Sequence, residues 1–179
     1  VYGDPKYLPI DENHPTHPIN PYGRSKLMAE IIIRDWCSVS NKRKGLSLRY
    51  FNPIGAHSSG MLFENGTQKS SNLMPTLLSA GKNSSSLFTV FGNTHDTKDG
   101  TGVRDYIHVV DLANAHVEAV KHLSSTEGYV IYNVGTGTGT SVFELLKSFE
   151  RANDTKVEFK IGSKRPGDVS EVWATADKI

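Results

Sequence analysis

Tyr22 and Lys26 stand four residues apart in the run Asn20-Pro21-Tyr22-Gly23-Arg24-Ser25-Lys26. On a helix this spacing places both side chains on one face. A cation beside a phenol favours the phenolate and lowers a pKa that starts near 10. Such a pair can take and return a proton near neutral pH. Pro21 suits a first helical position and Asn20 suits its cap, so Tyr22 falls in the first turn. There the helix dipole also favours negative charge. The competing reading is a surface Tyr beside a surface Lys, because Tyr-x-x-x-Lys alone is common. The flanking Pro-Tyr-Gly-x-Ser-Lys wording moves the reading towards a catalytic pair.

Three further runs carry groups suited to ligands. Arg49-Tyr50-Phe51-Asn52-Pro53-Ile54-Gly55-Ala56-His57 follows an apolar strand-like stretch. In open α/β sheets, ligands bind beyond the carboxyl ends of strands. Asn52, with Phe51 beside it, stands at such an end; it is equally well placed as a turn former before Pro53. In Gly100–Val109 the period of two sets Arg104 and Tyr106 on one side of an extended segment. Arginine suits bidentate phosphate contact; the alternative is an Arg104–Asp105 surface pair of little worth. Arg165-Pro166-Gly167-Asp168 reads as a turn. Two arginines from separate loops can clamp a diphosphate, with Asp168 accepting from a sugar or ribose hydroxyl.

Gly135-Thr-Gly-Thr-Gly-Thr140 imitates a dinucleotide loop, since it follows a strand and opens a helix. Thr140 occupies the third glycine's position and little chain follows, so the run reads as a flexible strand-to-helix turn. His14 and His17 lie in a proline-rich loop without further ligands and read as solvated; no metal site is expected. Cys37, the single cysteine, reads as packing.

These residues need positioning elements. Residues 21–42 read as a helix whose apolar face holds Leu27, Met28, Ile31, Ile32 and Trp36. Leu46–Phe51, Leu87–Phe91, Tyr129–Val134 and Val157–Ile161 read as strands, and 103–109 as a short extended segment. Leu73–Ala80 reads as a helix closed by Gly81. Asp111 can cap a helix to Leu123 with Leu112, Ala115, Ala119, Val120 and Leu123 inward. Ser141-x-x-Glu144 is a capping box opening a helix to Ala152. Alternation of strands and helices, with several strands buried on both faces, argues α/β with parallel pairing. Residues 4–20 and 55–71 read as loops.

The bulk numbers exclude several classes. A net charge of +1, from 20 basic and 19 acidic residues, gives no field for nucleic acid or membrane. No apolar run approaches the roughly 20 residues of a membrane helix, and no secretory signal is visible; a cytoplasmic location is expected. At 179 residues there is room for one domain or two small interleaved ones. Val1-Tyr2-Gly3 reads as the end of a strand and a turn, so the chain is read as a fragment.

Six motifs occur in one order: Pro21–Lys26, Arg49–His57, Ser71-Asn-Leu-Met-Pro75, Val90-Phe-Gly-Asn93, Asp99–Leu112 and Arg165–Asp168. Together they resemble the UDP-glucose 4-epimerase family of extended short-chain dehydrogenase/reductases. The resemblance spans nearly the whole chain, and Asp99–Leu112 is its most specific part. It implies the C-terminal part of a doubly wound, NAD-binding Rossmann fold, from residues 1–52 and 103–135. Interleaved with it would be a small α/β domain for the UDP-sugar, from 53–102 and 136–179. Tyr22 would be the general base, with Lys26 lowering its pKa and touching the NAD ribose, and Phe51 beside the cofactor. Asn52, Arg104 and Arg165 would hold the diphosphate and Asp168 the uridine ribose. Asn72 and Leu73 would contact the nucleotide, Thr89, Val90 and Phe91 the uracil, and Tyr106 and Val172 the pocket walls. The implied reaction interconverts UDP-galactose and UDP-glucose through a 4-keto sugar, with transient hydride transfer to bound NAD.

The resemblance also implies a homodimer for the full-length protein. The nearest rival within the superfamily is a sugar-nucleotide 4,6-dehydratase; the other is a non-catalytic NAD or nucleotide-sugar binding module. Ser71 departs from a frequent Asn. Val172 departs from a large Tyr found in some members, leaving room for UDP-N-acetylhexosamines. The family's glycine-rich loop would precede Val1, so the isolated segment is expected to be inactive.

Overall fold

A computed structural model describes residues 1–64, 72–82 and 86–179. The departure at Ser71 lies outside them, as does the end of the loop expected over 55–71.

Asn20 caps helix α1 (Pro21–Ser38), its side chain accepting from the Gly23 N–H at 2.7 Å. The helix stops at Ser38 rather than at residue 42. Arg43 explains this: its backbone N–H closes a turn on Ser40 O, and its guanidinium donates to Trp36 O. The basic run thus folds back over the helix end instead of prolonging it.

Strand β1 (Gly45–Tyr50) is followed by β2 (Asn52–Ile54), which continues through Pro53. Asn52 N–H bonds Asp105 O, so the adjacent Pro53 falls where no ladder donor is needed. Helix α2 (Leu73–Lys82) passes Gly81 rather than ending there. A Cβ on Gly81 would come within 2.7 Å of the Phe149 ring, so this glycine permits a close helix approach. Strand β3 is Phe88–Phe91, and the expected 103–109 segment divides at Asp105 into β4 (Val103–Arg104) and β5 (Tyr106–His108).

Helix α3 (Val109–Leu123) is capped by His108, whose Nδ1 accepts from Val110 N–H; Asp111 lies in the first turn instead. Leu112 is buried as expected, whereas Val120 points outward at 73% exposure. Strands β6 (Tyr129–Val134) and β7 (Thr140–Ser141) precede α4 (Val142–Asn153), which carries the expected capping box. Strand β8 (Phe159–Gly162) starts after Val157, which is buried in a core; β9 (Glu171–Val172) completes the set.

The architecture is α/β with mostly parallel pairing. β1 pairs parallel with β6, β2 with β5, and β3 with β8. Short β4 pairs antiparallel with β7 and parallel with β9. Two apolar clusters form. One joins Ile107, Leu112 and Val134; the other joins Leu77, Ala80, Phe88, Val90, Leu146 and Val157. Strand β1 is only half-buried, contrary to burial on both faces: Leu46 and Leu48 open into a cleft of about 810 Å³. The apolar face of α1 is outward too, with Met28, Ile31, Ile32 and Trp36 exposed, while Cys37 is buried.

His14 is buried, not solvated. Its Nε2 accepts from Lys6 N–H and its Nδ1 donates to Pro15 O, both at 2.8 Å. Among the described residues no group of three or more His, Cys, Asp or Glu side chains is placed to hold a metal. No described helix is long and apolar enough to cross a membrane.

Asp99 ties the loop before β4 to the start of α4. Its carboxylate accepts from the backbone and hydroxyl of Thr101 and from the hydroxyl of Ser141. Burial pushes this carboxyl up, but the Ser141 and Thr101 donors outweigh it and hold it below the ordinary 3.8. A depressed folded value stabilises above the unfolded value and is lost as pH falls through the folded one. The urea midpoint should therefore fall below about pH 4 more steeply in wild type than in Asp99→Asn. Parallel midpoint curves for the two proteins would refute this.

Candidate active site

Two clefts meet at Asn52. The first, of about 520 Å³, lies between α1 and β1 and is lined by Tyr22, Lys26, Phe51, Asn52 and Val172. Lys26 Nζ lies 5.3 Å from the centre of the Tyr22 ring. Tyr22 is 70% exposed, so its hydroxyl is open to a ligand. Helical spacing produced this pairing, as the cap at Asn20 requires.

Behind the pair, a polar network fixes how α1 overhangs β1. Arg49 donates twice to Glu30, at 2.9 and 2.6 Å, and once to the Tyr2 hydroxyl at 3.0 Å. Tyr2 donates to Asn133 Oδ1, and Asn133 Nδ2 donates to Ile10 O. Helix α1, strands β1 and β6 and the N-terminal stretch are thus joined. Burial works against the Arg49 charge, but Glu30 and Tyr2 hold its pKa above the usual value. Burial raises that of Tyr2.

The second cleft, of about 420 Å³, gathers Asn52, Asn72, Leu73, Thr89, Phe91, Arg104, Tyr106, Arg165 and Asp168. Arg104 Nη2 lies 3.8 Å from Asp168 Oδ1, and its Nη1 donates to Val103 O at 2.8 Å. The Arg165 guanidinium covers the Phe91 ring at 3.9 Å, a cation–π geometry. Asn72 Nδ2 donates to Glu64 at 2.7 Å. Burial lowers the Arg104 pKa against the opposing pull of Asp168, and burial raises that of Tyr106. A half-buried arginine sharing a cleft with a second arginine is suited to an anion of more than one charge.

The predicted residues separate as follows. Thr89 and Phe91 face the cleft, while the intervening Val90 side chain is 1% exposed and packs in the α2–α4 core. Val172 lines the first cleft, although it is the β9 partner of Arg104 on β4. Sequence reasoning missed Thr76 and His95, which also line the second cleft.

Asp105 was missed as well. It is not a surface partner of Arg104 but fully buried, accepting from Thr136 N–H at 2.8 Å, Thr136 Oγ1 at 2.7 Å and Gly137 N–H at 3.2 Å. A Cβ on Gly135 would lie 2.4 Å from its carboxylate. The Gly-Thr-Gly run is therefore a pinned turn that wraps a carboxylate, not a flexible one.

Residues 1–135 match the NAD dependent epimerase/dehydratase family. The chain belongs to that family. Among curated epimerase/dehydratase relatives, it is 48% identical over 175 residues to the UDP-glucose 4-epimerase of Bos taurus, covering 97% of this chain and 50% of that protein. The Bacillus subtilis UDP-glucose 4-epimerase is 46% identical, over 99% of this chain and 52% of its own length. A solved UDP-glucose 4-epimerase from Bifidobacterium longum, in complex with NAD+ and UDP, superposes with a TM-score of 0.93 at 46% identity. It covers 99% of this chain and 53% of that structure. The chain thus spans about half the length of the relatives it matches. Its α/β fold is that of the Rossmann-type, NAD-dependent epimerases.

Proposed function

We propose that the whole protein is a UDP-glucose 4-epimerase that interconverts UDP-galactose and UDP-glucose. The observation that carries this is the junction at Asn52 of a Tyr–Lys cleft with a cleft bearing Arg104 and Arg165. The reading assigns 1–52 with 103–135 to the cofactor side and 53–102 with 136–179 to the substrate side.

The first cleft fits the nicotinamide end of NAD: Lys26 and Tyr22 offer polar heads for ribose hydroxyls, and Phe51 offers a flat apolar wall. NAD, when bound, supplies the reversible oxidation of the sugar carbinol. Tyr22 Oη takes the proton of the 4-hydroxyl and later returns it. Lys26 supplies the positive charge that a phenolate base needs beside it. Arg104 and Arg165 hold the diphosphate, with Asn52 between the clefts. Thr89, Phe91, Asn72 and Leu73 hold the nucleoside, and Asp168 takes the ribose. Binding energy is thus spent at the nucleotide end, and the sugar end stays free to turn over. Tyr106 lines the second cleft, where its ring is set beside the diphosphate ligands.

Met28, Ile32 and Trp36 form an exposed apolar strip on α1. A strip of this kind fits a second copy of the chain, so the full-length protein is read as a homodimer. The location proposed is the cytoplasm.

Val172 is a small residue on the wall of the first cleft. The sugar range accordingly extends to UDP-N-acetylhexosamines. In the full-length protein, UDP-galactose should yield UDP-glucose in a coupled assay, and UDP-N-acetylglucosamine should also turn over. Val172→Tyr should lower kcat/KM for the N-acetylated sugar by about 10- to 200-fold relative to UDP-galactose. No turnover of UDP-galactose would refute the epimerase reading. An unchanged ratio between the two sugars would refute the role of Val172.

A further inference from the structure

We propose that His95 is the protonatable member of the second cleft, taking up a proton when the diphosphate of a nucleotide sugar enters. The inference rests on that cleft being the UDP-sugar site and adds a group to it.

His95 is 6% exposed, yet its ring lines the same cleft as Arg104 and Arg165. Its loop is fixed on both sides: His95 N–H donates to Gly100 O and Thr97 N–H to His95 O, each at 2.9 Å. The ring has a serine hydroxyl as its hydrogen-bond partner: Nδ1 lies 3.3 Å from Ser170 Oγ. The Phe91 backbone weakly favours the charged form of the ring. A serine hydroxyl donates or accepts by turning its hydrogen. The ring therefore passes from neutral to charged with no heavy atom moving: Ser170 can donate to it in the first state and accepts from it in the second.

The charged groups acting on the ring come from other elements. Lys164 and Asp168 lie in the loop after β8, and Arg104 lies on β4. Burial, Lys164 and Arg104 disfavour the imidazolium, against the smaller pull of Asp168, and hold the pKa below the ordinary 6.5. A diphosphate brings negative charge to those same cations and reverses the local balance. The bound state then has the higher pKa. Affinity is therefore greatest at low pH and falls as pH rises through the bound-state value. With one proton linked, the slope is at most about tenfold in affinity per pH unit.

UDP-glucose is the probe, because its diphosphate diester does not titrate in this range. The NAD-loaded full-length protein is titrated calorimetrically near neutral pH in buffers of differing ionisation enthalpy. The expected heats depend on the buffer, with uptake approaching one proton per site. In His95→Gln and His95→Asn that uptake is lost, and affinity becomes flat between about pH 6 and 8. Should a variant not fold, 15N-histidine spectra of the wild type with and without UDP-glucose read the same ring. Buffer-independent heats, uptake retained in either variant, or an unshifted ring signal would overturn the proposal. Failure of UDP-glucose to bind at any pH would overturn the cleft assignment and the proposal with it, a result distinct from pH-independent binding.

Discussion

Tyr22→Phe in the NAD-loaded full-length protein is expected to lower kcat for UDP-galactose by about 10²- to 10⁴-fold. UDP-sugar affinity is expected to stay near wild type. The split follows from the layout. Tyr22 lines the first cleft only, while the arginines proposed to take the diphosphate line the second. Phenylalanine keeps the ring that faces Lys26 and removes only the oxygen proposed to move the proton. The side chain is 70% exposed and the helix is capped by Asn20, so neither packing nor helix formation depends on that hydroxyl. Stability should accordingly match wild type in urea. Steady-state turnover with parallel UDP-glucose titration checks both halves. A loss below tenfold would remove Tyr22 from the proton transfer, and a parallel loss of affinity would assign it to binding instead.

Residues whose role depends on local spacing were legible. The Asn20 cap on Gly23 and the Tyr22–Lys26 pair each span three or four positions, and the period of 3.6 places them without knowledge of the fold. The Ser141–Glu144 capping box is legible for the same reason. The alternation of Thr89, Val90 and Phe91 is a period-of-two effect; which member faces the core depends on α2 and α4, distant in sequence. Long-range partners were not legible. Asp105 meets Thr136 across 31 positions, and no local pattern marks it. His95 lines the second cleft, and its ring partner Ser170 lies 75 positions away in sequence. Val120 fits the apolar stripe of α3 by spacing, yet stays outward because the described chain packs nothing on that side. A turn before Pro53 was the other local reading, yet β2 runs through it, because the ladder donor next to it is the Asn52 N–H rather than the one proline lacks.

Asp105→Ala is expected to cost about 3 kcal/mol of stability, in a urea titration of the full-length protein. The substitution strands three donors: Thr136 N–H, Thr136 Oγ1 and Gly137 N–H. Each buried group left unmatched costs about 1–3 kcal/mol, and partial entry of water into the opened turn reduces the sum. Asp105→Asn keeps the shape but turns an amide N–H₂ towards backbone donors, so about 2 kcal/mol is expected. Gly135→Ala should also destabilise, because the added methyl would stand 2.4 Å from the same carboxylate. The two effects share one cause and are therefore not additive. Removing the carboxylate removes what the methyl strikes, so Asp105→Ala with Gly135→Ala should cost less than the two single changes together. Additive losses would mean that Gly135 is constrained by something other than Asp105. The same pair links stability to binding. Asp105 lies between Arg104 and Tyr106 where β4 gives way to β5, so loosening it frees both residues that face the second cleft. KM for UDP-galactose should rise in Asp105→Asn before the protein unfolds, with kcat falling less, because Tyr22 and Lys26 stand on α1 at the far side of Asn52.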